Sequence, residues 1–250
     1  MIEIFSFSLS FYDLSILLLS AVLVGVAKAG VAGTGMVAVP LLAIAFGGKE
    51  SSGLLLPILI FADIFAVCYY HKHANWYHLK RLLPFAFVGV VIGTYIGGGL
   101  NDAYFKLFMA GIIFVSLTIM IWREKNKSPQ LPDSAAISAG IGVAGGVTTM
   151  VGNLAGPIMA LYLLAMKLPK TEFIGTAAWF FLVINISKIP FHVFVWETIN
   201  LNTVLLDLLL IPAIGFGVFI GVTVVKQMNE MFFRYLVIVM TAVAALAMIR

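Results

Sequence analysis

Ten apolar runs, each ended by a polar residue or a Gly/Pro break, dominate this chain; they lie near 12–28, 35–46, 52–70, 82–100, 103–122, 135–149, 153–166, 173–196, 201–225 and 230–249. A soluble domain carries about 25% charged residues. Here the charged share is 10% against 62% hydrophobic, with a mean hydropathy of +1.09. So little polar surface cannot coat a 250-residue body, and the surplus apolar faces must look onto lipid. In lipid every backbone N–H and C=O needs a partner within the protein, and the runs lack the short polar/apolar alternation of a barrel, so they read as helices. The expected fold is all-α: one polytopic transmembrane bundle over 1–250 with about eight to ten membrane segments.

The formal charge of +4 reads as a surplus of cations in cytoplasmic loops rather than as a nucleic-acid surface. Placing the loops 72–81 and 123–127 on one side puts eleven of the fifteen basic residues at cytoplasmic ends, against Lys49, Lys106 and Arg250 outside. Both termini then face outward. Glu3 and Asp13 precede the first basic residue, Lys28, which is unlike a signal peptide, so the N-terminus is expected to be retained. A single cysteine, Cys68, rules out an internal disulfide.

The chain also repeats itself. Gly25, Gly35 and Pro40 align with Gly142, Gly152 and Pro157, while Pro84, Gly89, Gly93 and Asn101 align with Pro212, Gly217, Gly221 and Asn229. A first repeat over 12–123, a cytoplasmic connector over 124–133 and a second repeat over 134–250 are expected. The runs 35–46 and 153–166 are too short to traverse a core about 30 Å thick and each follows a Gly-rich break, so they read as halves of helix-break-helix hairpins. An odd number of crossings per repeat inverts the second copy relative to the first. That is the architecture of many secondary transporters, whose sites lie where broken helices meet near the midplane.

The breaks are GVAKAGVAGTGMVAVP from Gly25 and GVAGGVTTMVGNLAGP from Gly142. Glycine permits unwound backbone, and a helix restarting after a break offers N–H groups and the positive end of its dipole to an anion. Gly33, Thr34, Gly35, Thr148, Thr149, Gly152 and Asn153 are therefore candidate substrate-binding residues, and tight helix packing is the alternative use of the glycines. For Gly89, Gly93, Gly217 and Gly221, inside uninterrupted runs, packing is the expectation. Lys188 sits at the centre of an apolar run, where a lysine costs about 2.5–3.5 kcal/mol to insert, so it is expected to meet a cavity or partner, with Asn185 one turn away. Asp63 aligns with Asn185 and is expected opposite Lys188, as a proton-coupling group or as part of a structural ion pair. His192, one turn from Lys188, is either a proton relay or a packed histidine. Asp207 is expected nearer the outer end of its segment and exposed. Lys28 reads as a snorkelling anchor or as an attractor of anions at the inner mouth. The stretch HKHANWYHLKR from His71 matches no metal-ligand spacing and reads as a solvated loop with interfacial Trp76 and Tyr77.

Along nearly its whole length the sequence resembles the sulfite exporter TauE/SafE family of small bacterial membrane proteins. The resemblance is carried by Gly30, Gly33, Gly35 and Pro40, by the second copy from Gly145 to Pro157, and by Asn185, Lys188 and Pro190. It implies transport of a small sulfur-containing anion, of sulfite, sulfonate or sulfoacetate type, across the cytoplasmic membrane, often as export. No cofactor is implied, and the chain is not expected to be an enzyme. The partners are that anion, the bilayer and protons as a subsidiary coupling ion, with homo-oligomerisation left open. The rival readings are an anion channel and, from another class, a membrane-embedded enzyme, for which Asp63, Asp207 and His192 form no catalytic spacing.

Overall fold

The computed structural model describes residues 2–5, 7–31, 34–125 and 134–229 and, beyond these, 231–233, 235–236 and 239. It is an all-helical bundle preceded by a small antiparallel hairpin, β1 (Ile2–Ile4) and β2 (Phe7–Leu9). The hairpin is too short and too little alternating to stand out in the sequence; it is fixed by Leu9, which is buried in the core.

Helix α1 (Phe11–Lys28) starts on a capping box, in which Ser10 accepts from the Asp13 N–H and Asp13 accepts from the Ser10 N–H. It ends at Ala29, and Gly30 follows with φ +118, a left-handed conformation open to glycine at little cost. The chain turns back there, because α2 (Thr34–Phe46) starts beside α1: the Thr34 hydroxyl oxygen lies 3.3 Å from the Leu23 carbonyl, and a Cβ on Gly35 would meet that of Ala27 at 2.9 Å. The same device recurs after α6 (Ala135–Gly152). Asn153 caps that helix in the left-handed region, φ 59, and α7 (Ala155–Ala165) folds back so that the Tyr162 hydroxyl lies 3.3 Å from Ser138. At about 1.5 Å per residue, the 13 residues of α2 and 11 of α7 fall short of a bilayer core. The expected hairpins are present, with α2 starting at Thr34 and α7 at Ala155.

The remaining helices are α3 (Gly48–Tyr70), α4 (Trp76–Gly98), α5 (Asp102–Lys125), α8 (Lys170–Phe194), α9 (Leu201–Leu209) and α10 (Ile211–Gln227). Among the described residues, five helices are long and apolar enough to cross a membrane: α1, α3 with its following 3-10 turn, α4, α6 and α8. Helices α9 and α10, bent by 49°, make a sixth if taken as one span. The sequence had shown only an unbroken run, 201–225; the bend falls at Leu210, just ahead of Pro212, whose ring tolerates only the first turn of a helix. Large apolar side chains such as Leu19, Phe87, Ile186 and Phe219 stand exposed on the outward faces, which suits lipid and not water.

In lipid, apolar burial does not drive helices together, and close approach of backbones matters more. Two parallel crossings show this. Helix α4 lies along α6, where a Cβ on Gly89 would strike the Val143 carbonyl and one on Gly146 the Ala86 carbonyl. Helix α1 lies along α10 in the same way, Gly25 against the Ile214 carbonyl and Gly217 against the Val22 carbonyl. Gly25 thus does in one crossing what Gly146 does in the other, one helical turn beyond its sequence-aligned mate Gly142. Between the crossings, α3 and α8 run antiparallel: Gly175 abuts the Tyr70 carbonyl, Asn185 reaches Asp63, and Gly53 abuts Thr198.

The stretch from His71 is only partly a loop. His71 and Lys72 are exposed in the 3-10 turn, Asn75 caps α4, and Trp76 and Tyr77 are exposed in its first turn. His78, however, is buried, with Nδ1 2.7 Å from the Tyr162 hydroxyl, and ties α4 to α7.

Candidate functional site

The centre of the bundle holds a chain of polar side chains linking α1, α3, α6 and α8. Lys28 Nζ, at the end of α1, is 2.8 Å from Asp63 Oδ1 on α3. Asn185 on α8 donates its Nδ2 to Asp63 Oδ2 at 2.7 Å and accepts from Lys188 Nζ at 3.0 Å. Lys188 gives its other protons to Thr149 Oγ1 at 3.2 Å and Asn153 Oδ1 at 2.5 Å. Asn153 in turn donates to the Ser52 carbonyl at 3.0 Å. An ammonium has three donors, and Lys188 finds three oxygens. That arrangement explains how a lysine of 0% exposure is accommodated at membrane depth.

Against this chain lies a cavity of about 100 Å³, between the two helix breaks and the facing stripes of α3 and α8. A single water needs about 10–15 Å³, so several heavy atoms fit. Lys28, Thr149, Asn153 and Asn185 line it. So do Gly35 and Gly156, in the first turns of α2 and α7, which brings two positive helix ends onto one space. Thr149, accepting from Lys188, keeps its own proton for an occupant; Lys28 has spare protons beside the one held by Asp63, and sits 3.9 Å over the Phe181 ring.

Of the residues expected at the site, Gly35, Thr149, Asn153 and Asn185 line the cavity, and Lys188 stands directly behind them. Thr34 and Thr148 spend their hydroxyls on the carbonyls of Val31 and Gly145 and lie off the cavity wall. Gly152 faces Met109 of α5 instead, and Gly33 lies outside the described residues. Asp63 and Lys188 do not pair directly; Asn185 stands between them. Lys28 is not a free snorkelling anchor: its side chain is 12% exposed and is held by Asp63. Its partner was not legible in the sequence, because the last residue of an apolar run is where anchoring lysines ordinarily stand. Asp207 is not exposed either; it is buried on α9, and neither carboxylate oxygen has a hydrogen-bond partner among the described residues. A short helix bent against its neighbour turns that residue inward, which a linear reading of 201–225 could not show.

One turn past Lys188 the polar chain stops at a packed barrier. His192 Nδ1 is 2.8 Å from Thr198 Oγ1, its ring lies against Trp196, and its Nε2 has no hydrogen-bond partner among the described residues. Trp196 donates to the Thr94 carbonyl at 3.1 Å and packs edge-on to Phe105. Among the described residues no three His, Cys, Asp or Glu side chains converge as a metal site would require.

A multi-pass bundle that keeps two lysines and a cavity beneath a lipid-facing surface has the build of a membrane transport protein. The family model for the sulfite exporter TauE/SafE family matches residues 17–248, and the chain belongs to that family. No curated protein and no solved structure matches it.

Proposed function

We propose that this chain is a secondary transporter that carries a small sulfur-containing anion across the cytoplasmic membrane, in the direction of export, by alternating access. The observation that carries the reading is the cavity bounded by Lys28, Thr149, Asn153 and Asn185 and by the first turns of α2 and α7. Such a pocket offers an anion cationic charge, hydroxyl and amide groups and two helix N-termini in a setting of low dielectric. The paired crossings α1 with α10 and α4 with α6, and the antiparallel α3 and α8 meeting at Asp63 and Asn185, support two inverted repeats that rock against each other. Lys72, Lys80, Arg81 and Lys170 gather at one end of the bundle, which supports that end as cytoplasmic. Export of an anion then runs with an inside-negative potential, worth about 2.3 kcal/mol per charge per 100 mV.

Asp63 is the acid through which protons couple in this reading, since a proton on it frees Lys28 for the anion. The site is tested by sulfite flux from proteoliposomes. Lys188→Ala and Lys28→Gln each abolish flux while leaving the protein expressed and monodisperse; wild-type flux in both overturns the assignment. Single-channel conductance in a planar bilayer would replace the carrier by a channel.

A further inference from the structure

We propose that Trp196 is the gate that closes the carrier at the end of the bundle opposite Lys72 and Lys170, and that displacing its indole opens a route from the cavity past His192 to Lys49. This rests on the carrier reading above and locates one of its barriers. The cavity is one-sided. Among the described residues its wall on α8 runs from Phe173 to Asn185 and no further. Lys188, His192 and Trp196 follow at intervals of four residues; the first two are fully buried and Trp196 is 6% exposed. A tryptophan that anchors a span at the lipid interface lies on the outside of a bundle. Trp196 points inward instead, its ring edge-on to Phe105 of α5 at 5.9 Å and to His192 at 5.0 Å.

Three features make this layer a gate rather than a wall. Basic groups flank an apolar ring: Lys188 and His192 precede it along α8, and the Nζ of the half-buried Lys49 lies 5.4 Å from the indole centroid. The Nε2 of His192 is buried without a hydrogen-bond partner among the described residues, a cost that a permanent plug of hydrocarbon would avoid. With the Thr198 hydroxyl donating to Nδ1, Nε2 bears the proton and becomes a donor to an anion that passes the opened layer. The indole is also lightly fastened. It is held by the bond from Nε1 to the Thr94 carbonyl at 3.1 Å and by lying on Gly97, where a Cβ would come within 2.6 Å of its Cζ2. Trp196 stands just past the end of α8, and the next residue, Glu197, takes φ 54, a left-handed conformation that costs a residue with a side chain.

The experiment reads access to the cavity from the outer face. Thr149→Cys in the Cys68→Ser chain puts a single thiol on the cavity wall, and intact cells expressing the full-length chain are treated with a small, charged, membrane-impermeant methanethiosulfonate. The labelling rate follows the population of the open gate, so Trp196→Phe, which loses chiefly the bond to Thr94, is expected to raise it about fivefold. Gly97→Ala, which pushes the indole off its seat, and Trp196→Ala, which removes it, are expected to raise it by about tenfold or more. Ser138→Cys, buried near His78 at the other end of the bundle, is expected to keep its rate in the same backgrounds. Equal labelling of Thr149→Cys across the series, or a parallel rise at Ser138→Cys that marks a loosened fold, overturns the gate and leaves the carrier reading standing. A selective rise, with a wild-type chain that moves no sulfite in proteoliposomes, keeps Trp196 as the barrier and overturns the carrier.

Discussion

Replacing Asp63 by asparagine isolates the interaction on which the buried site depends. Asp63 is fully buried, and its Oδ1 lies 2.8 Å from Lys28 Nζ, whose side chain is 12% exposed. At that separation and an effective dielectric near 20, the attraction is about 6 kcal/mol, from which desolvation takes back a large part. Removing one partner leaves the other charge buried without compensation, and the expected cost is about 3–5 kcal/mol. Asparagine also turns one acceptor into a donor, facing either Lys28 or Asn185, each of which already donates there. Lys28→Met in the same chain removes the stranded charge, so the double variant Lys28→Met/Asp63→Asn is expected to recover all but about 1–2 kcal/mol. The four proteins form a double-mutant cycle, with a coupling of at least about 2 kcal/mol. Thermal unfolding in detergent reads it, at roughly 2–4 °C per kcal/mol for a chain of this size. Additive single losses, or an Asp63→Asn protein that melts with the wild type, would show that the pair is not held as a buried pair.

The other expectations concern packing. Gly146→Leu places a side chain into the Ala86 carbonyl and should prevent α4 and α6 from meeting, read as loss of monodisperse protein on gel filtration. Gly145→Ala, whose Cβ meets only Phe180 Cζ at 3.9 Å, serves as the tolerated control. Trp196→Ala should cost about 3–5 kcal/mol of unfolding free energy as a cavity opens beside Phe105 and His192; Trp196→Phe, losing chiefly the bond to Thr94, should cost about 1 kcal/mol. Tyr162→Phe removes the hydroxyl shared by His78 and Ser138 and should cost about 1–3 kcal/mol in the same melt, since the buried groups it leaves behind lose a partner. An unchanged melting temperature would deny that the hydroxyl ties α7 to α4.

What the sequence determined by itself is whatever lipid enforces locally. A long apolar run has to be a helix because its backbone finds no water. The same reasoning made 35–46 and 153–166 half-helices and marked Lys188 as needing company, from its place at the centre of 173–196. Pairing across the bundle was decided elsewhere, by where helices cross. Lys28 meets Asp63 across 35 positions of chain because α1 ends beside the α3 helix, and nothing in either local pattern encodes that. The matching of Gly25 with Gly146, a turn away from its aligned mate, was equally invisible, since in sequence rich in glycine and alanine a shift of one turn preserves the small face. Asp207 is buried on a helix that meets α10 at a 49° bend at Leu210. Apolar periodicity tells a segment that it will be a membrane helix; the backbone contacts that glycine permits, made between segments far apart in the chain, settle which polar atoms then share a cavity.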